Sequence, residues 1–276
     1  MKSTTELLNE IDNNIKSWER KDVFSACFGF IDLTSLNTTD TQAKIISMTE
    51  KVNQFRDAFP GYGQVAAMCI FPNFVKTARA NLTDKDVKLA VVSGVFPSSQ
   101  SFTEIKIREC KMAADAGADE IDIVLSLNYF LGEEFDKAAD EISQIKRAIG
   151  GVHLKVILET GALQESQKIY DASMLAMEAG ADFIKTSTGK SEPAATPQAA
   201  IVMCEAIKEF HKTTGKKVGF KPAGGIVTPS DAIKYYAIVE TILGSEWLNS
   251  NLFRLGASRL ANNLLSQMES REISYF

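Results

Sequence analysis

Eight short, nearly continuous apolar runs recur along this chain, each of the length and pattern expected of a strand buried on both faces. They are FGFIDLT (28–34), VAAMCIF (65–71), KLAVVSGV (88–95), EIDIVLS (120–126), HLKVILE (153–159), FIKTST (183–188), VGFKPAG (218–224) and FRLGA (253–257). The segments between them carry helical spacing. Ile45, Met48, Val52, Phe55 and Phe59 step by three and four, as do Phe135, Ala138, Ile142, Ile145 and Ile149, so each set lines one helical face. Thr196-Pro197 and Thr228-Pro229 are start signals, a capping hydroxyl followed by a proline suited to the first turn. Buried strands alternating with helices imply a parallel sheet covered on its outer side. Eight such units without a Pro-, Gly- or Ser-rich linker fit one closed (β/α)8 (TIM) barrel spanning residues 1–276. Residues 1–23 read as an extra N-terminal helix, placed to cap the barrel floor. A doubly wound open sheet is the alternative, because periodicity does not show closure.

Composition narrows the function classes. Thirty Lys and Arg against 35 Asp and Glu leave a net charge of −5, which lacks the field of a general nucleic-acid binder. The first twenty residues contain no apolar signal-peptide core, and no later run approaches a membrane span of roughly 18 apolar residues. A cytoplasmic protein with no membrane role is the expectation. Cys27, Cys69, Cys110 and Cys204 lie far apart without a CxxC pair and read as buried thiols. His153 and His211 form no HxH or HExxH pattern, so no metal site is expected. His153 reads as structural and His211 as facing solvent.

Charges inside apolar strands need a reason, since an unpaired buried ammonium is costly and tends to lose its proton. Lys155, Lys185 and Lys221 stand within predicted strands, as do Asp32 and Asp122. The echo of AGADEIDIV (116–124) in AGADFIKTS (179–187) puts Asp122 and Lys185 at equivalent places on two strands. One such residue would read as half of a structural ion pair. Five on five strands share one barrel interior, which favours chemistry. A desolvated lysine beside a second cation is a nucleophile, and a carboxylate can move protons for it, so the implied chemistry is an imine at lysine. Three Gly-containing loops, TSTGKS (186–191), PAGGIVTPS (222–230) and LGASRL (255–260), follow the last three strands, where barrels commonly hold phosphate. Their candidate substrate contacts are Thr186, Gly189, Lys190, Gly224, Gly225, Gly256 and Ser258.

The segments IDLTSLN (31–37), VAAMCIFP (65–72), GADEIDIV (117–124), LKVILETG (154–161), DFIKTSTGK (182–190), VGFKPAGGI (218–226) and FRLGAS (253–258) together resemble the deoxyribose-phosphate aldolase family over nearly the whole chain from about residue 24. The resemblance implies a class I aldolase that reversibly cleaves 2-deoxy-D-ribose 5-phosphate to acetaldehyde and glyceraldehyde 3-phosphate without metal or organic cofactor. It further implies Lys185 as the Schiff-base lysine, Lys221 as the lysine that perturbs it and Asp122 as the proton-transfer group. Asp32, Thr34, Cys69 and Lys155 match further pocket positions, and a homodimer is common in such barrels. Two departures stand out: Arg259 follows Ser258 where the family commonly has serine, and Tyr275 is penultimate where some members end in a tyrosine that reaches the site. The alternatives are a transaldolase-type lysine-imine lyase and a non-catalytic barrel that binds a sugar phosphate.

Overall fold

The structure is a computed structural model and describes residues 3–276. Two helices, α1 (Thr4–Asn14) and α2 (Lys21–Gly29), precede the first strand. Then come β1 (Ile31–Thr34), α3 (Gln42–Ala58), β2 (Ala67–Ile70), α4 (Val75–Asn81) and β3 (Lys88–Val92). The middle of the chain supplies α5 (Thr103–Asp115), β4 (Glu120–Val124), α6 (Leu127–Leu131), α7 (Phe135–Ile149) and β5 (His153–Ile157). It continues through α8 (Thr160–Leu163), α9 (Ser166–Glu178), β6 (Phe183–Lys185) and α10 (Pro197–Thr214). The last elements are β7 (Gly219–Lys221), α11 (Pro229–Leu243), β8 (Leu255–Ala257) and α12 (Leu260–Glu269).

All neighbouring strands pair in parallel, in the order β7-β6-β5-β4-β3-β2-β1-β8. The remaining seam is joined by bridges from Phe220 to Phe253 and from Ala223 to Gly256. There the Arg254 N–H donates to the Phe220 carbonyl at 3.1 Å and the Gly256 N–H to that of Pro222 at 2.9 Å. A sheet whose two ends meet is a (β/α)8 barrel, which removes the open-sheet alternative.

Period-two alternation divides the strand residues between two environments. Leu33, Met68, Ile70, Leu89, Val91, Ile121, Ile123, Leu154, Val156 and Ile184 point outward and pack with the helices in one continuous core. Each such side chain contributes about 1.5–3 kcal/mol of hydrophobic stabilisation. Inside the barrel, Ala67, Cys69, Ala90 and Val92 form a small separate cluster with Leu36. Small residues on β2 and β3 leave interior volume for the long charged side chains of the other strands.

Some sequence expectations move. Phe28 and Gly29 end α2 rather than open β1, and Phe28 stacks on Phe55 at 5.0 Å. A buried helix turn and a buried strand are equally apolar, so an apolar run does not mark the boundary between them. Strands β3 to β7 end two to three residues early and β2 one, because the residues beyond them bend into the loops that surround the barrel mouth, whereas β8 ends at Ala257 as expected. The N-terminal segment is two helices joined by a short 3-10 turn, not one. Helix α1 packs on α10 and α11, and α2 on α11 and α12. His211 is half-buried, edge-on to Trp247 at 5.2 Å, rather than facing solvent. Among the described residues no helix is long and apolar enough to cross a membrane.

Candidate active site

Register assembles the charges. Glu120 and Asp122 are two apart on β4 and share a face, and Asp122 stands beside Lys155 of β5. Lys185 of β6 stands beside Lys221 of β7. Arg254, just before β8, lies beside the strand that carries Asp32, since Leu255 pairs with Ile31 and Gly256 with Asp32. All seven side chains are buried.

Two levels result. At the lower one the Arg254 guanidinium spans Asp32 Oδ1 at 2.6 Å and Glu120 Oε1 at 2.7 Å, while Lys155 donates to Glu120 Oε2. At the upper one Asp122 Oδ2 accepts from Lys185 at 2.9 Å and from Lys221 at 2.8 Å. Lys221 also lies 2.5 Å from Asp32 Oδ2, and Lys155 lies 3.3 Å from Asp122 Oδ1. Each carboxylate is thus spanned by cationic groups, so none is free to ligate a metal.

The interior holds four cations, Lys155, Lys185, Lys221 and Arg254, against three carboxylates, Asp32, Glu120 and Asp122. One positive charge is in excess in a buried space, where it is expensive. Burial works against every ammonium there, but the groups resolve it differently. For Lys221 it is outweighed by Asp122 and Asp32, which push the pKa well up; for Lys155 the outweighing groups are Asp122, Glu120 and Asp32. Arg254 is likewise held up, against burial, by Asp32 and Glu120. Lys185 alone goes down: burial disfavours its charge, Asp122 only partly restores it, and Lys221 repels it. Burial would raise Asp122, yet Lys155, Lys185 and Lys221 hold it well below the usual carboxylate range. Asp32 is held down in the same way by Lys221, Lys155 and Arg254 against its burial.

A buried lysine is not enough to make such a site. Lys106 of α5 is as buried, but it meets Glu141 at 2.8 Å, Ser126 at 2.6 Å and Ser99 at 3.1 Å, a one-to-one ion pair completed by hydroxyls. What distinguishes the barrel interior is the unmatched charge.

Lys185 lines a cavity of about 240 Å³ at the C-terminal ends of the strands. Thr34, Gly189, Lys190, Gly224, Gly225, Gly256, Ser258 and Arg259 also line it. Close backbone approach demands some of these glycines. A Cβ on Gly256 would lie 2.7 Å from the Ala223 Cβ, closer than two carbons pack, and 3.2 Å from Lys221 Cε, so it would also crowd the lysine. Gly224 has a φ of +85°, and a Cβ there would strike Ala194 at 2.7 Å. Ser258 and Arg259, which line the cavity, lead directly into α12, whose N-terminus has no side-chain cap and so leaves N–H groups for an anion. Glu159, with a φ of +53°, fixes the loop after β6 by accepting from the Thr188 N–H at 3.0 Å and hydroxyl at 2.6 Å.

Several expected residues are placed away from the cavity wall. Thr186 is fully buried and ties two loops together, accepting from the Ala223 N–H at 3.0 Å. Lys190 lines the cavity, but its ammonium reaches the Leu36 carbonyl at 2.5 Å. Lys155, Asp32 and Cys69 lie beneath the wall among the interior charges. The Tyr275 hydroxyl donates to the Lys51 carbonyl at 2.8 Å, and its ring packs on Phe55 and Phe59, outside the barrel mouth. Glu120, Arg254 and Glu159 were missed. The rule that singled out the lysines also applies to FRLGA and to DEIDIV, where Glu120 shares the face of Asp122. For Glu159 the sequence gives no signal, because its role rests on a loop nearly thirty residues away.

A model of the DeoC/LacD aldolase family matches residues 28–238. The deoxyribose-phosphate aldolase of Homo sapiens is 38% identical over 265 residues, covering 92% of this chain and 82% of that protein. A Caenorhabditis elegans protein provisionally given the same name is 40% identical over 260 residues, covering 94% and 86%. The solved structure of an aldolase named QR15 is 28% identical, with a TM-score of 0.72 over 89% of this chain and 99% of that one.

Proposed function

The chain belongs to the DeoC/LacD aldolase family, and from that premise we propose that it reversibly cleaves 2-deoxy-D-ribose 5-phosphate into acetaldehyde and D-glyceraldehyde 3-phosphate through an imine on Lys185. The observation that carries this reading is the excess cation. Of the four cations inside the barrel, Lys185 alone has its pKa pushed down and alone lines the cavity.

The neutral Lys185 amine attacks C1 of the open-chain aldehyde, and the resulting carbinolamine loses water to give a protonated imine. Acetaldehyde takes C1 and C2, so the bond that breaks is C2–C3. Its electrons move into the imine to form an enamine, while the C3 hydroxyl gives up its proton and C3 becomes the aldehyde of glyceraldehyde 3-phosphate. The enamine is then protonated at C2, water adds at C1, and the C–N bond breaks to release acetaldehyde and the free amine. The imine is the electron sink, so the scheme calls on no metal or organic cofactor.

Asp122 orients Lys185 through their 2.9 Å hydrogen bond. Its depressed pKa keeps it ionised, so it serves as a fixed acceptor that positions the Lys185 amine and a water able to carry the protons. Lys155 braces the other oxygen of Asp122, and Lys221 stays charged throughout. The phosphate lies against Gly189, Gly224, Gly225, Ser258 and the first turn of α12. Arg259, without a carboxylate in ion-pair distance among the described residues, adds its charge there.

Incubation with acetaldehyde and borohydride tests the reading. One ethyl group per chain, located on Lys185 by peptide mass, is the expected result. Labelling of another lysine, or labelling only with dihydroxyacetone, would refute it.

A further inference from the structure

Phe183 stands two residues before Lys185 on β6 and so shares its inward face. The Lys155 ammonium lies 5.7 Å and the Arg254 guanidinium 5.8 Å from the centre of its ring. Gly219 of β7 pairs with Phe183, and a Cβ there would come within 2.3 Å of that ring, so the glycine leaves the ring its place. The ring is a seat for two cations beneath the lysines of the cavity. One of them is a guanidinium, which unlike an ammonium keeps its charge when buried.

Arg254 bonds to neither Lys185 nor the cavity wall. Its Nη1 donates to Asp32 Oδ1 at 2.6 Å and to Glu120 Oε2 at 3.2 Å, its Nη2 to Glu120 Oε1 at 2.7 Å, and its Nε to the Ser250 carbonyl. The oxygens of these carboxylates that also meet an ammonium are Asp32 Oδ2, 2.5 Å from Lys221, and Glu120 Oε2, which accepts from Lys155. Resting on the aldolase reading, we propose that Arg254 and Glu120 are positioning residues for the imine chemistry: Arg254 occupies Asp32 and Glu120 so that neither can turn to Lys185, which is left with a share of Asp122 alone.

Charge balance lets this layer act on the nucleophile without touching it. Arg254, Lys155 and Lys221 match Asp32, Glu120 and Asp122, and Lys185 is the ammonium left over. Without Arg254 the three lysines would match the three carboxylates, so Lys185 would keep its proton to higher pH. Without the Glu120 charge, four cations would face two carboxylates, so Lys185 would release its proton at lower pH. The other groups around Lys185 do not offset either change. Burial keeps Cys69 of β2 a neutral thiol, β3 begins with an exposed Lys88 and brings no charge inside, and Glu159 is engaged by Thr188. Lys190 and Arg259 at the mouth are themselves cations.

The test reads the protonation of Lys185 with and without turnover. Acylation of Lys185 by trace acetic anhydride, quantified by peptide mass on the full chain across pH 5 to 10, reports the free amine alone. Retro-aldol kcat/KM is measured over the same range, at a temperature where a melt shows each variant folded. At roughly 10 Å and an effective dielectric of about 20, one charge moves a pKa by about one unit. Arg254→Met should therefore move both rising limbs about one unit to the alkaline side, with about 10-fold less activity at pH 7. Glu120→Gln should move them about one unit to the acid side, and the double variant, which loses one charge of each sign, should return close to wild type. Limbs that stay in place in folded variants, or that both substitutions move the same way, would overturn the proposal; a merely structural layer would lower the melt and leave the limbs unmoved. Should Arg254→Met fail to fold, Glu120→Gln and the double variant decide, the first displaced and the second not. A wild type without turnover whose acylation limb still moves as stated would refute the sugar cleavage and leave this layer standing.

Discussion

Replacing Lys221 by Met tests the electrostatic origin of the Lys185 nucleophile. Both ammonium groups donate to the same oxygen of Asp122, at 2.9 and 2.8 Å, so they stand no more than about 6 Å apart. At about 5 Å and an effective dielectric of about 20, two like charges repel by about 3 kcal/mol, equivalent to about two pKa units. Removing Lys221 leaves three cations facing three carboxylates and frees Asp122 to hold the Lys185 ammonium more tightly, so the Lys185 pKa should rise by that amount. The neutral amine then becomes about 100-fold scarcer at pH 7. The expected outcome is a kcat/KM about 100-fold lower at neutral pH, with the rising limb of the pH profile moved about two units to the alkaline side and activity largely regained there. Both carboxylates keep other partners, Asp32 through Arg254 and Asp122 through Lys155, so the fold should survive. The assay is retro-aldol turnover from pH 6 to pH 10, with a thermal melt to confirm folding. A loss of activity that is uniform across this range, with the limb unmoved, would refute charge repulsion as the cause.

Three further outcomes follow from the same geometry. Lys185→Met removes the unmatched cation, so the variant should lose all acetaldehyde trapping yet melt no lower than wild type; a clear drop in Tm would mean that Lys185 is a net structural partner. Arg254→Met leaves Asp32 and Glu120 short of a buried cation and should cost about 3–5 kcal/mol in urea denaturation, with a loss near zero showing that the lower level is not held by this bridge. Arg259→Ser should raise KM for the phosphorylated sugar by about 10-fold or more with kcat nearly unchanged and slow turnover of unphosphorylated deoxyribose unaffected; an equal effect on both sugars would take Arg259 out of phosphate recognition.

Local order was legible in the sequence because periodicity is a property of neighbouring residues. The eight apolar runs and the helical spacing of Ile45, Met48, Val52, Phe55 and Phe59 announced the alternating units, and Thr196-Pro197 and Thr228-Pro229 marked real helix starts. The presence of charges in strands was equally visible, and it drew attention to Lys155, Lys185, Lys221, Asp32 and Asp122. Their arrangement was not visible, since every contact among them joins residues from different strands, 63 apart for Lys185 and Asp122 and 99 apart for Lys221 and Asp122. Boundaries failed at Phe28 for a related reason: burial makes helix and strand look alike until the partner surface is known.

The sequence by itself therefore determined which residues must be buried and that some of them carry charge, through the local period and the chemistry of each side chain. Only the tertiary structure decided that β7 meets β8, that Glu120 and Arg254 form the layer below the lysines, and that Tyr275 rests on Lys51. It also decided which lysine is the weakest acid and which the strongest. A pKa is set by the sum of burial and all nearby charges, and in Lys185, Lys221 and Lys155 three chemically identical groups are driven apart solely by where the closed barrel puts their neighbours.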